Sequence, residues 1–124
     1  MTKHDPLVFL DDILRAIEKI ERYVQGLAYE EFINDDKTLQ AVIQNLQIIG
    51  EAARNIPIEV RNLAKTVPWK KVISMRNRMI HEYWGVDTRV VWNTIEDWLP
   101  ALKNEVKKLI DALESGQQEL DLTA

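Results

Sequence analysis

An all-α fold, an up-and-down four-helix bundle with a short extra helix, is predicted for this 124-residue sequence by three observations. Apolar residues recur at steps of three and four along four long segments, the spacing that lines one face of a helix. Only 4 Gly and 4 Pro are present, and several fall where those segments end. Apolar residues make up 46% and charged residues 29%, a balance that supports one hydrophobic core. The length suits a single domain over residues 1–124, with a polar, frayed tail from about Ser115.

The first helix opens on Asp5 as cap and Pro6 at the first helical position. Its stripe is Leu10, Ile13, Leu14, Ile17, Ile20, Val24 and Leu27, and Gly26 marks its end. Residues 28–34 read as a short connection. Asp35 or Asp36 caps a second helix with the stripe Leu39, Val42, Leu46, Ile49, Ala53, Ile56, which Pro57 ends. Ile58–Ala64 suits a short helix. Thr66 and Pro68 open another, expected to run from about Trp69 to Tyr83. Trp84-Gly85-Val86 breaks the pattern, and Asp87 or Thr88 caps the last helix. There Val91, Ile95, Trp98, Leu102, Val106, Leu109 and Leu113 keep register through Pro100, which predicts one long helix kinked near that proline.

The absence of cysteine excludes disulfides, thiolate metal sites and a cysteine nucleophile. No apolar run approaches the roughly 18 residues of a membrane span, and MTKHDP has no apolar signal core. A cytoplasmic protein without membrane contact is the expectation. Net charge is -4, yet Arg54–Ile80 holds seven basic residues and one acid. A basic band on an acidic chain can attract a polyanion locally. Scattered surface charge is the plainer explanation of such a band.

Chemistry concentrates in Met75-Arg76-Asn77-Arg78-Met79-Ile80-His81-Glu82-Tyr83. On a regular helix Asn77 and His81 share a face, Arg78 neighbours His81, and Arg76 superimposes on Tyr83. The apolar stripe would read Trp69, Ile73, Arg76, Ile80, Tyr83, so Arg76 stands where an aliphatic residue belongs. A charge there is costly unless paired or needed. A purely structural account pairs Arg76 with a carboxylate such as Glu51 and makes His81 a cation at a helix end. A functional account is phosphodiester cleavage: His81 moves a proton near neutral pH, and Arg76 holds the phosphate bidentately and stabilises charge in the transition state. Asn77 and Tyr83 position the phosphate or orient His81, while Glu51 or Asn45 supports the pair from the second helix. In that account Arg78, Lys70 and Lys71 are the residues expected to bind RNA. No metal and no cofactor is required. Arg76 and His81 would lie about 140° apart on one helix. A two-fold dimer, with each cleft drawing on both chains, would bring them together.

Arg76, four residues, His81, one residue and Tyr83 resemble the Arg-x4-His-x-Tyr motif of HEPN-domain ribonucleases, and more narrowly the HepT-like toxins of HepT/MntA toxin–antitoxin systems. The likeness extends through Phe9-Leu10-Asp11-Asp12-Ile13, Ala41–Leu46, Ile49-Gly50-Glu51-Ala52-Ala53, Pro68-Trp69, Val86-Asp87, Val91-Trp92 and Leu99-Pro100. It implies a helical homodimer with the motif at the dimer cleft. It also implies metal-independent RNA cleavage by 2′-hydroxyl attack, leaving a 2′,3′-cyclic phosphate. The implied partner is a cognate minimal nucleotidyltransferase antitoxin that transfers AMP onto the motif tyrosine, here Tyr83. An alternative is a non-catalytic helical substrate-binding or interaction subunit of a separate nucleotidyltransferase. The complete Arg76/His81/Tyr83 set favours the enzyme.

Overall fold

A computed structural model describes residues 5–75, 77, 80–81 and 85–123, with backbone alone for Ile80, His81 and residues 117–123. Among the described residues the chain is all-α apart from one ribbon of two residues per strand. Helix α1 (Pro6–Val24) starts where the Asp5 carboxylate accepts the Leu7 amide at 2.9 Å, with Pro6 in the first turn. It buries Leu10, Ile13, Ile17 and Ile20 completely. Gly26, at φ +78°, supplies the left-handed residue beyond its end.

The expected connection at 28–34 contains a short helix, α2 (Tyr29–Ile33). The Ala28 amide donates to Glu31 at 2.9 Å, and Phe32 is fully buried. A local cap and one core anchor are enough to order five residues that carry no readable stripe.

Helix α3 (Asp36–Arg54) is capped by Asp35, whose carboxylate accepts the Thr38 hydroxyl at 2.6 Å and the Thr38 amide at 3.1 Å. Those bonds, the hydroxyl's first, hold the Asp35 carboxyl below its ordinary value. The buried face of α3 includes Leu39, Val42, Leu46, Ile49 and Ala53. Helix α4 (Ile58–Arg61) and a 3-10 turn (Asn62–Ala64) follow Pro57, as the sequence leads one to expect.

The chain departs from expectation after α5 (Trp69–Ile73). Ser74 is in a turn, Met75 and Asn77 have helical backbone, and Ile80–His81 forms strand β1. It pairs antiparallel with β2 (Gly85–Val86), Ile80 opposite Val86 and His81 opposite Gly85. The continuous helix to Tyr83 is therefore corrected, and with it the fourth long helix of the bundle. Gly85 sits at φ +82°, a conformation open to glycine without strain, which lets the ribbon close. Three long helical stretches are present among the described residues: α1, α3 and residues 88–123.

The last stretch runs without a break through α6 (Thr88–Asn93), a π-turn (Thr94–Trp98) and α7 (Leu99–Thr123). Asp87 caps it, its carboxylate accepting the Val90 amide at 3.2 Å. The π-turn ends two residues before Pro100, which has no amide to donate to Glu96. The Leu99 amide instead reaches back five residues to the Thr94 carbonyl. The backbone remains helical beyond Ser115 to Thr123. Helix α1 packs on α3 and α7, and α3 also packs on α2 and α5. No helix among the described residues is long and apolar enough to cross a membrane.

Candidate active site

In sequence the motif follows α5 (Trp69–Ile73), whose packing is fixed at both ends. Trp69 is buried, and its indole N–H is shared between the Arg61 carbonyl at 3.0 Å and the Ala64 carbonyl at 3.1 Å. That pair ties the start of α5 to the preceding turn. At the other end Val72 and Met75 are buried at 1% exposure each. Gly50 brings α3 against this end: a Cβ on Gly50 would stand 3.2 Å from both the Val72 and Ile73 carbonyl oxygens. This close approach lies beside the segment that leads into Arg76.

Arg76, Arg78 and Tyr83 lie outside the described residues. Asn77 is exposed on helical backbone. His81 occupies the ribbon, held by pairing with Gly85. The regular-helix construction that set Arg76 and His81 about 140° apart loses its premise here, because backbone that is extended at Ile80–His81 does not turn 100° per residue. Lys70 and Lys71 are both exposed on α5. The Lys71 ammonium lies 5.8 Å from the ring centre of Trp98, across on the π-turn.

Glu51 is exposed and bonded to Arg54 one turn on, at 2.9 Å. It lines a shallow hollow with Phe9, Asp12 and Ile48. Asn45 is buried and donates to the Ala41 carbonyl on its own helix at 2.9 Å. Of the four tryptophans, Trp69 is buried, Trp92 and Trp98 pack partly buried against the core, and Trp84 is outside the described residues. Among the described residues no group of three or more His, Cys, Asp or Glu side chains is placed to hold a metal ion.

The exit of the ribbon is clamped by contacts the sequence did not reveal. Tyr29 on α2 meets Thr88 by a hydroxyl–hydroxyl bond of 3.1 Å, and the Arg89 guanidinium lies 3.8 Å from the centre of the Tyr29 ring. Phe32 packs on Trp92 with ring centres 5.1 Å apart. Helix α2 thereby holds the start of α6 directly after β2.

A small all-α protein with a basic helix leading into an arginine–histidine segment is the class defined so far. Comparison with known proteins narrows it. A family model described as "Ribonuclease HepT-like" matches residues 13–109. A protein of Thermococcus cleftensis named "Probable ribonuclease HepT" is 45% identical over 101 residues, 82% of this chain and 92% of the relative. One from Caldanaerobacter subterraneus named a "Putative RNase" is 39% identical over 105 residues, covering 85% and 94%. Another "Putative RNase", from Methanocaldococcus jannaschii, is 38% identical over 122 residues, covering 98% and 100%. No solved structure matches significantly. The chain belongs to the HepT-like ribonuclease family.

Proposed function

We propose that this protein is a metal-independent endoribonuclease and the toxin of a HepT/MntA-type toxin–antitoxin pair. The observation that carries the reading is family membership together with Arg76, His81 and Tyr83 at the family's motif spacing. His81 serves as the proton-transfer group for a ribose 2′-hydroxyl attacking the adjacent phosphorus. Arg76 holds the non-bridging oxygens and stabilises the charge that accumulates on them. The leaving 5′-oxygen takes a proton, and a 2′,3′-cyclic phosphate remains. Asn77 and Tyr83 position the phosphate, Glu51 supports the site from α3, and Arg78, Lys70 and Lys71 bind the flanking RNA backbone.

The active form is a homodimer in the cytoplasm. With the helical-wheel argument gone, support for the dimer comes from exposed apolar side chains on and after α4, Ile58 at 53% and Leu63 at 65%. A cognate minimal nucleotidyltransferase antitoxin neutralises the toxin by placing AMP on the Tyr83 oxygen, which puts negative charge and bulk where the RNA phosphate binds.

The test is cleavage of RNA by purified protein in EDTA, with end-group analysis of the products. His81→Ala and Arg76→Ala should each lower the rate by about 10²–10⁴ while circular dichroism stays unchanged. Full activity in His81→Ala would overturn the catalytic assignment. Activity that disappears in EDTA and returns with a divalent ion would overturn the metal-free mechanism.

A further inference from the structure

Two hollows flank the π-turn, and both are lined by Asp97 and Trp98. The larger, about 300 Å³, lies between Val67, Pro68 and Val72 on one side and Trp98 and Leu102 on the other. Three features bear on what it holds. Trp98 offers an indole wall opposite aliphatic side chains. Asp97 is exposed at the rim and forms no ion pair among the described residues, whereas Glu105, the other carboxylate of the lining, is paired with Lys108 at 3.6 Å. Lys71 brings a cation to within 5.8 Å of the Trp98 ring centre, and Lys70 is its exposed neighbour on α5.

A flat aromatic ligand suits an indole facing aliphatic groups, and a volume near 300 Å³ is at the small end of ligand sites. A carboxylate accepts hydrogen bonds and donates none, so it selects a ligand edge with two adjacent N–H donors. Among the four RNA bases guanine alone presents that edge, through N1–H and N2–H. The lysines then neutralise the phosphate that accompanies a nucleotide. A basic peptide would also be drawn to Asp97, but its charged side chain would meet Lys71 beside the same ring. The combination of an acceptor-only group, an aromatic wall and a cation fits a nucleotide better than a cationic segment.

We propose that the hollow between α5 and the π-turn is a guanine-recognition subsite, with Trp98 against the base and Asp97 accepting from its N1–H and N2–H. The subsite rests on the reading of the protein as an RNA-cleaving enzyme, and it gives that enzyme a preference for guanine in the RNA it binds. Α5 connects the two functions, since Val72 lines the hollow and the motif begins shortly after α5 ends.

The experiment is titration of the intact, isotope-labelled protein with guanosine, inosine and adenosine 5′-monophosphates, following the Trp98 indole N–H by NMR. Guanosine monophosphate should shift that resonance. Inosine monophosphate lacks the N2 amine and should bind about tenfold more weakly, the loss of one hydrogen bond to a charged group. Asp97→Asn is a near-isosteric change at an exposed position, and it should erase the preference for guanosine over adenosine monophosphate. Glu96→Gln, next in sequence but not lining the hollow, should keep it. Equal response to the guanine and adenine nucleotides, or an unaltered preference in Asp97→Asn, would overturn the proposal. So would a shift with a Lys/Leu-rich peptide and none with guanosine monophosphate. Binding is read here without cleavage. Selective binding by a protein that cuts no RNA would therefore count against the ribonuclease reading alone, and RNA cleavage without selective binding would count against the subsite alone.

Discussion

Gly50→Ala tests whether the contact between α3 and α5 is as tight as the geometry makes it. In an open helix the change should stabilise by about 1 kcal/mol, because alanine loses less backbone freedom on folding. At Gly50 the new methyl would stand 3.2 Å from two carbonyl oxygens of α5. Those oxygens are backbone atoms of a helix fixed by Trp69 at one end and by buried Val72 and Met75 at the other. Relief requires α5 to retreat by a few tenths of an ångström. Overpacking of this kind costs about 1–3 kcal/mol. Subtracting the propensity gain leaves a net loss of about 1 kcal/mol. With a urea m-value of about 1–3 kcal/mol/M, the midpoint should fall by roughly 0.3–1 M. Gly116→Ala supplies the control: a Cβ there meets nothing within 4 Å, so the same substitution should be neutral or stabilising by up to about 1 kcal/mol. Urea unfolding of both variants decides the matter. A higher midpoint for Gly50→Ala, matching Gly116→Ala, would refute the argument that α5 cannot yield. Because α5 leads into Arg76, RNA cleavage by Gly50→Ala should also fall further than its unfolded fraction accounts for.

Phe32→Ala should cost about 3–5 kcal/mol, since the ring is fully buried against Trp92 and its loss frees α2 from α6; a calorimetric loss under 1 kcal/mol would mean the site collapses without a cavity. Lys103 and Glu21 join α7 to α1 at 2.8 Å, and the hydrogen bond that Lys103 donates to Glu21 raises the Lys103 pKa. This contribution should be complete below the unfolded lysine value of about 10.4 and disappear as pH rises through the higher folded value. A double-mutant cycle should give at most about 1 kcal/mol at pH 7, less in high salt. Peptide mass spectrometry after co-expression with a partner nucleotidyltransferase should find AMP on Tyr83 and none on Tyr29, whose hydroxyl is engaged by Thr88 and whose ring is covered by Arg89. Added mass elsewhere, or suppression of toxicity without added mass, would refute the modification.

The sequence by itself determined where the long helices begin and which faces they bury. Asp5, Asp35 and Asp87 each accept an amide within three residues, an interaction complete inside one turn and so legible in a short string. Most of the α1 stripe and the α3 stripe are buried, with Leu14 and Val24 half-buried, because a 3.6-residue period leaves little choice of which side meets the core. Tertiary structure decided the rest. Trp69, Ile73, Arg76, Ile80 and Tyr83 keep helical spacing, yet Ile80 and His81 leave the helix to pair with Val86 and Gly85. A ribbon of two residues per strand is too short for its period-two alternation to register against that spacing. Pro100 announced a disturbance, but not that the turn before it would widen and leave Asp97 and Trp98 lining two hollows. The approach of α3 to the α5 carbonyls and the placement of Lys71 beside Trp98 join residues more than twenty positions apart. Such contacts depend on how whole helices dock, and the spacing of residues along one helix carries no record of what comes to lie against it.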